Sequence, residues 1–277
     1  CTGNAAACGA DLQAAFAGSK ATLYVCPGTY EGGFSIARSV TVIGAGQGGN
    51  PANNTILDGG GTQRVLAVSS GTVVLQRLRV TDGDAGTDAG GGIAHISGAL
   101  TMDDCTVTNS SGRLGGGISH SAATLTMTRC TVSDNTAPAG GGAASGGGLR
   151  LGNSATLTDC RITGNRTDGA GGGIYAVSNS TVVLAGATLI QGNTASQGGG
   201  LASVVSLSGS VTIGEDCRIT GNTAPQGDGG GIYRLTSSPV TLQGTDDPSP
   251  IVTNNCHENC TGVAIARCAD TPVHCEE

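Results

Sequence analysis

Three aspartates separated by small residues stand in the stretch Asp82-Gly83-Asp84-Ala85-Gly86-Thr87-Asp88. Carboxylates alternating with residues that let the backbone curl and offer carbonyl oxygens are what a hard cation takes, so Asp82, Asp84 and Asp88 are candidate Ca2+ ligands. No bidentate glutamate closes an EF-type loop here, and aspartate beside glycine is also ordinary turn chemistry. Ca2+ is the only cofactor these residues raise.

The chain has 11 cysteines, and their positions divide them. Cys105, Cys130, Cys160 and Cys217 each precede a short β-type segment and read as buried thiols, since a free cysteine behaves as a small hydrophobe. Cys8 and Cys26 are candidates to tie the N-terminal segment to the first coil by a disulfide. Cys256, Cys260, Cys268 and Cys275 crowd the end and read as a disulfide-pinned cap, which implies export. Zinc held by Cys256, Cys260, His274 and Cys275 is an alternative, but paired short knuckles are absent. Cys1 is a candidate for lipidation or an intermolecular bond.

What must position these groups is an internal repeat. Gly-Gly-Gly followed by one aliphatic residue recurs, and the aliphatic positions Ile93, Ile118, Leu149, Ile174, Leu201 and Ile232 are separated by 25, 31, 25, 27 and 31 residues. Such a period marks a solenoid. Between the glycine blocks lie alternating segments: Leu125-Thr126-Met127 and then Cys130-Thr131-Val132, with apolar and polar side chains on opposite faces. Two short strands plus the one opened by the glycine block make three faces per turn. The expected fold is all-β: a right-handed parallel β-helix of about eight or nine coils over residues 22–255. A capping segment over 1–21 carries a short helix started by Asp11, and a cysteine-rich cap occupies 256–277.

Aligned turns bring like residues into files. Leu78, Cys105, Cys130, Cys160, Thr188, Cys217 and Pro250 form an inward file. Asn135, Asn165, Asn193, Asn222 and Asn255 form a second, at a turn where side-chain amides can bond the rungs above and below. Thr101, Thr126, Thr156, Thr212 and Thr241 form an outward file interrupted by Val74 and Val183. A flat threonine face raises ice binding, although β-propensity accounts for most outward threonines and Asp103 breaks the neighbouring column.

Composition narrows the rest. Aromatic residues make up 2%, tryptophan is absent and glycine numbers 50, so no core of large side chains is available. No run of 18 apolar residues exists to span a membrane. A net charge of −7 with 13 Lys and Arg, and no basic cluster, argues against nucleic acid as a partner.

The glycine blocks, paired with segments such as Ile162-Thr163-Gly164-Asn165 and Ile219-Thr220-Gly221-Asn222, resemble the Gly-Gly-Ala-Ile and Phe-x-x-Asn repeats of polymorphic outer-membrane proteins and related bacterial surface proteins. Val25-Cys26-Pro27-Gly28-Thr29-Tyr30 is similar to the first coil of the pectin-lyase-like superfamily. The aromatic of Phe-x-x-Asn is replaced by Val or Ile, and no barrel segment is present after the repeats. The resemblance implies a secreted or cell-surface scaffold or adhesin; the one-dimensional architecture and the left-over Cys1 raise, separately, head-to-tail joining into a fibre. Its partners would be a surface glycan, a protein ligand or further copies. The wider superfamily also contains polysaccharide lyases and hydrolases. For that enzyme alternative Asp82, Asp103, Asp104 and His120 are the catalytic candidates, provided that they face one cleft; none of the family's motifs around them is intact.

Overall fold

The computed structural model describes residues 5–253, apart from 141, 178, 207, 226–228, 235–238 and 244–251, together with 255, 260 and 261. Strands alternating inward aliphatics with outward polar residues are too short to bury a face alone, so the chain winds and stacks them. Three nine-stranded sheets result, each taking one strand from every turn. The fifth rung, for example, supplies Thr124–Thr128 to the first sheet, Thr131–Ser133 to the second and Leu149–Leu151 to the third. Neighbouring rungs pair in parallel and in register: Leu125 lies beside Leu100 and Ala155, and Met127 beside Met102 and Leu157. At about 4.8 Å per rung the nine rungs form a rod on the order of 40 Å long. Core residues from Phe16 to Val252 form one continuous cluster along it.

The glycine triplet has a separate reason at each position. Its first member takes a left-handed backbone, with φ 71° at Gly115, 67° at Gly146 and 74° at Gly171. A Cβ on the second, Gly147, would sit 2.5 Å from the Gly172 carbonyl oxygen of the next rung. A Cβ on the third, Gly148, would sit 2.7 Å from the Gly173 oxygen and 3.0 Å from the Asn165 amide. Close stacking of turns therefore excludes side chains from the whole triplet.

Two corners complete each turn. Between the first and second sheets a single left-handed residue bends the chain: Arg77, Asp104, Arg129 and Asp159 in successive rungs, with φ between 49° and 54°. After the second sheet the same conformation falls on Asp82, Asn109, Asp134, Gly164, Gly192 and Gly221, with φ between 52° and 66°. Asp, Asn and Gly are the residues that tolerate this region best.

Immediately after the second corner comes the asparagine file, buried throughout. Each amide links three rungs. Asn165 Nδ2 donates to Val132 O (2.9 Å) behind and to Asn193 Oδ1 (3.0 Å) ahead, while its Oδ1 accepts from Asn135 N and Asn135 Nδ2 (both 3.0 Å). The pattern repeats at Asn193 and Asn222, ends on Asn255, and begins where Ser110 N donates to Asn135 Oδ1. Leu78, Cys105, Cys130, Cys160, Thr188 and Cys217 are likewise buried in one inward file, joined by Thr55. Pro250, aligned with them in the sequence, lies outside the described residues.

The N-terminal helix, α1, spans Ala5–Ala17. It starts earlier than Asp11 implies, because the alanine run Ala5–Ala7 favours helix and places Asp11 in its middle rather than at its cap. Cys8, Leu12 and Phe16 face the first rung, and Phe16 meets Phe34 edge-on with centroids 5.8 Å apart. Gln13 closes the open edge of the third sheet as a strand would: its Nε2 donates to Ser35 O (3.2 Å) and its Oε1 accepts from Ser35 N (2.8 Å). Arg38 donates to Phe16 O and Ala15 O and so ends the helix.

The expected tie between Cys8 and Cys26 is not formed. Cys8 is disulfide-bonded, whereas Cys26 is a free, exposed thiol. Cys1, Cys256, Cys268, Cys275, His257 and His274 lie outside the described residues. The backbone of Cys260, assigned to the cap from sequence, opens the ninth strand of the third sheet beside Ile232, so the solenoid runs past residue 255.

The ladder and corners give a paired prediction. Asn165→Ala strands the Asn135 donors and the Asn193 acceptor in the core and should cost about 3 kcal/mol. Asp134→Gly, which suits its left-handed corner, should cost about 0 to 0.5 kcal/mol. Urea midpoints of both variants against the parent measure the difference.

Candidate functional site

The aspartates singled out from sequence occupy separate corners. Asp103 ends its first-sheet strand and Asp104 forms the corner after it, and Arg129 from the next rung binds both: its Nε donates to Asp104 Oδ1 (2.8 Å) and its Nη2 to Asp103. The Arg129 hydrogen bond, with smaller charge contributions from Arg129 and Arg77, holds the Asp104 carboxyl below its usual range. Arg77, Asp104, Arg129 and Asp159 thus form a file of alternating charge along one corner. Asp82 stands at the other corner, accepting from Thr81 Oγ1 (2.8 Å). Asp84 accepts from Gly86 N (2.7 Å), and Asp88 N donates to Ala85 O. Arg64 shares the depression that holds Asp84 and Asp88. Among the described residues no three His, Cys, Asp or Glu side chains converge as a metal site.

His120 faces neither corner. It points into the core from the third sheet, in register with His95 on one side and Leu151 on the other. His95 and His120 are fully buried and stacked, with centroids 4.9 Å apart and Nδ1 atoms at 2.9 Å. His120 Nε2 lies 3.2 Å from the Ser154 carbonyl, an acceptor only, so this nitrogen carries the hydrogen. The Nδ1 of neutral His120 is then bare and accepts from His95 Nδ1. His95 Nε2 is buried and makes no hydrogen bond of normal geometry, while the Gly98 backbone beside the ring opposes part of the effect of burial on its pKa. Burial pushes both imidazoles down to about 4, with the His120 charge adding to the shift at His95. Asp82, Asp103, Asp104 and His120 therefore share no cleft.

The cysteine file is inert by the same logic. The thiols of Cys130 and Cys160 are pushed up by hydrogen bonding along the file and by burial, and Cys217 rises to about 11 by burial. Nucleophilic thiolate chemistry is disfavoured at all three.

The threonine file is in register on the outer face of the first sheet, with Thr101, Thr126, Thr156, Val183, Thr212 and Thr241 side by side. Asp103 and Thr128 share the adjoining column, and Arg129 holds Asp103.

A groove that no motif announced lies on the outer face of the third sheet. Its volume is 660 Å³, and Arg150 and Tyr175, neighbours in adjacent strands, stand on its floor. Ser145, Ala170 and Gln197 line one wall in successive rungs, and Val177 and Val204 the other. Arg150 is half-buried, its Nε has no hydrogen-bond partner, and burial, with a smaller push from Arg113, lowers its pKa. No Asp or Glu is among the residues lining the groove.

Sequence reasoning missed His95 and the groove. His95 was within reach, since it follows Ile93 by the two residues that separate His120 from Ile118. Arg150 and Tyr175 share no motif and meet only through the register of their strands.

The histidine pair sets an acid limit. Unfolded imidazoles bind protons near 6.5, whereas the folded pair resists until about 4. The pair costs no stability above pH 6.5, and stability falls as pH drops from there towards 4, because the unfolded chain binds more protons. His120→Leu, which repeats the residue at position 151, should roughly halve this pH slope. Thermal midpoints measured between pH 7 and 4 check it.

Comparison with known proteins agrees with the architecture. No curated protein and no solved structure matches the chain. The family model described as right handed beta helix region matches residues 46–247, most of the described solenoid, and the chain belongs to that family.

Proposed function

We propose that this chain is a non-enzymatic scaffold or adhesin of the cell surface or extracellular space, which holds a surface ligand in the groove over Arg150 and Tyr175. The observation that carries this reading is the groove itself: a concave strip on a rigid face, with a half-buried cation on its floor and no carboxylate to serve as acid or base. Ligand sites commonly combine such a preformed concavity with a few placed polar groups.

The enzyme alternative has less behind it. General acid–base work needs a pair of groups within reach of one bond. Here Asp103 and Asp104 are engaged by Arg129 and His120 is enclosed in the core. Export is supported by the cysteine-rich end of the sequence, and the resemblance to bacterial surface repeats points the same way. Ca2+ remains a proposal of the sequence alone, resting on Asp82, Asp84 and Asp88.

Incubation with a panel of plant, bacterial and animal polysaccharides tests the reading. Retention of a polymer without new reducing ends or unsaturated products is expected. The doubly substituted Asp82→Ala, Asp103→Ala chain should retain the same polymer equally well. Depolymerisation abolished by these substitutions would establish the enzyme instead.

A further inference from the structure

We infer that Cys26 is a resident nucleophile for the Cys8 disulfide, so that thiol–disulfide exchange moves the tether of helix α1 onto the turn before the strand Gly28–Glu31. The inference makes no use of the groove over Arg150 and goes beyond the proposed function.

The cysteines themselves are the first ground. Cys8, on the core-facing side of α1, is disulfide-bonded. Among the described residues Cys26, Cys105, Cys130, Cys160 and Cys217 are free, so none of these five is its partner. Cys105, Cys130, Cys160 and Cys217 are enclosed in the inward file, whereas Cys26 is exposed. An accessible free thiol and a disulfide sulfur are the two reactants that exchange requires.

Their placement is the second ground. Cys8 and Cys26 line one hollow of 270 Å³ between α1 and the first rung, together with Leu12, Leu23, Tyr24 and Tyr30. Gly9, next to Cys8, packs so closely on the strand Gly28–Glu31 that a Cβ there would collide with the Glu31 carbonyl, and Cys26 stands two residues before that strand. Tyr30 donates its hydroxyl to Cys26 O (3.1 Å) and so fixes the turn. Burial, with a smaller contribution from Cys26, pushes the Tyr30 pKa up, and the phenol keeps its proton. The other titratable groups on the wall are Asp11 from α1 and Tyr24 from the first strand, and no cation lines it. A disulfide needs Cα atoms about 4.4–6.8 Å apart, and the hollow is the space through which the helix and the turn close to that distance.

The step conserves bonds and electrons. Cys26 loses its proton to solvent, and its thiolate attacks Cys8 Sγ. A Cys8–Cys26 bond forms as the bond from Cys8 to its present partner breaks; the electron pair leaves on the partner sulfur, which takes up a proton. One disulfide and one thiol exist before and after, so no oxidant is consumed. The product staples α1 to the turn and closes a loop across Lys20, the one lysine of the chain.

The test uses the whole chain, without oxygen or added thiol. Samples held at pH 6 and at pH 8 are capped with N-ethylmaleimide in urea at pH 6, digested with trypsin and mapped by mass. Chain capped at once should carry the maleimide on Cys26, with Cys8 linked to its present partner. After incubation at pH 8, peptides 1–20 and 21–38 should be joined through Cys8 and Cys26. The maleimide should then have moved from Cys26 to the former partner, with the number of capped thiols unchanged. The joined pair should be at least about tenfold more abundant at pH 8 than at pH 6, because the thiolate is the attacking species, and its rate of formation should be independent of protein concentration. Cys26→Ser should keep the original Cys8 bond at both pH values. If that variant does not fold, capping Cys26 in the folded parent before incubation serves the same end.

Maleimide still on Cys26 after incubation, with the Cys8 bond unchanged, would overturn the inference. So would a joined pair that appears only with oxygen and with two capped thiols lost, which is oxidation of two free cysteines. A pair already complete in chain kept at pH 6 would leave Cys26 no free nucleophile and overturn it as well. Faster formation at higher protein concentration would move the reaction between molecules and overturn exchange within one chain.

Discussion

Each turn of this chain must end where the previous one ended, one strand spacing above it, and the asparagine file is where that demand is strictest. An amide in the file accepts from the backbone and side chain of one neighbour and donates to the backbone behind and the amide ahead. All four bonds are buried, so a shift of one residue would leave several polar groups in the core without partners, at about 1–3 kcal/mol each. Aligned amides also polarise one another, which strengthens a chain of them beyond isolated pairs. The neighbouring features serve this file: a left-handed corner delivers Asn135, Asn165, Asn193 and Asn222, and a glycine triplet lets the next strand approach.

That constraint explains residues whose types invite a chemical reading. Asp82 and Asp134 stand where the corner before the asparagine file needs a positive φ, and glycine takes over the position in later rungs. Asp104 and Asp159 have the same conformation at the other corner, alternating with Arg77 and Arg129 so that neighbouring rungs present opposite charges. Exposed pairs of this kind contribute little to stability, about 0–1 kcal/mol each, but they avoid the repulsion that a file of like charges would create. Carboxylates engaged by an arginine and by corner geometry are poorly placed for proton transfer.

The period of the glycine blocks made the architecture legible, because a triplet before an aliphatic residue has a steric cause that returns every turn. The asparagine and cysteine files were legible for the same reason. Less readable were features made by two residues in different rungs. Arg150 and Tyr175 meet because Leu149 and Ile174 are in register, and neither carries a mark of its own. His120 was visible, but its direction was not: whether a strand residue faces the core depends on parity within a three-residue strand, and the stacked His95 confirms the inward side. Helix α1 began early because alanine propensity outweighed the capping signal of Asp11.

Conserving the files leaves the loops between the second and third sheets free to vary. The step from Ile118 to Leu149 is 31 residues, whereas that from Ile93 to Ile118 is 25, and the excess falls between Asn135 and the next glycine triplet. Ala143 and Ala144 of this longer loop line the groove beside Arg150, and the Arg113 guanidinium reaches up to Gly142. The floor of the groove is made by paired strands of the third sheet, and the longer loop adds only part of one wall. The floor loses little entropy when a ligand arrives, because its strands are already paired on both sides. Arg150, held half-buried among those strands and away from any carboxylate, is already desolvated in part before binding.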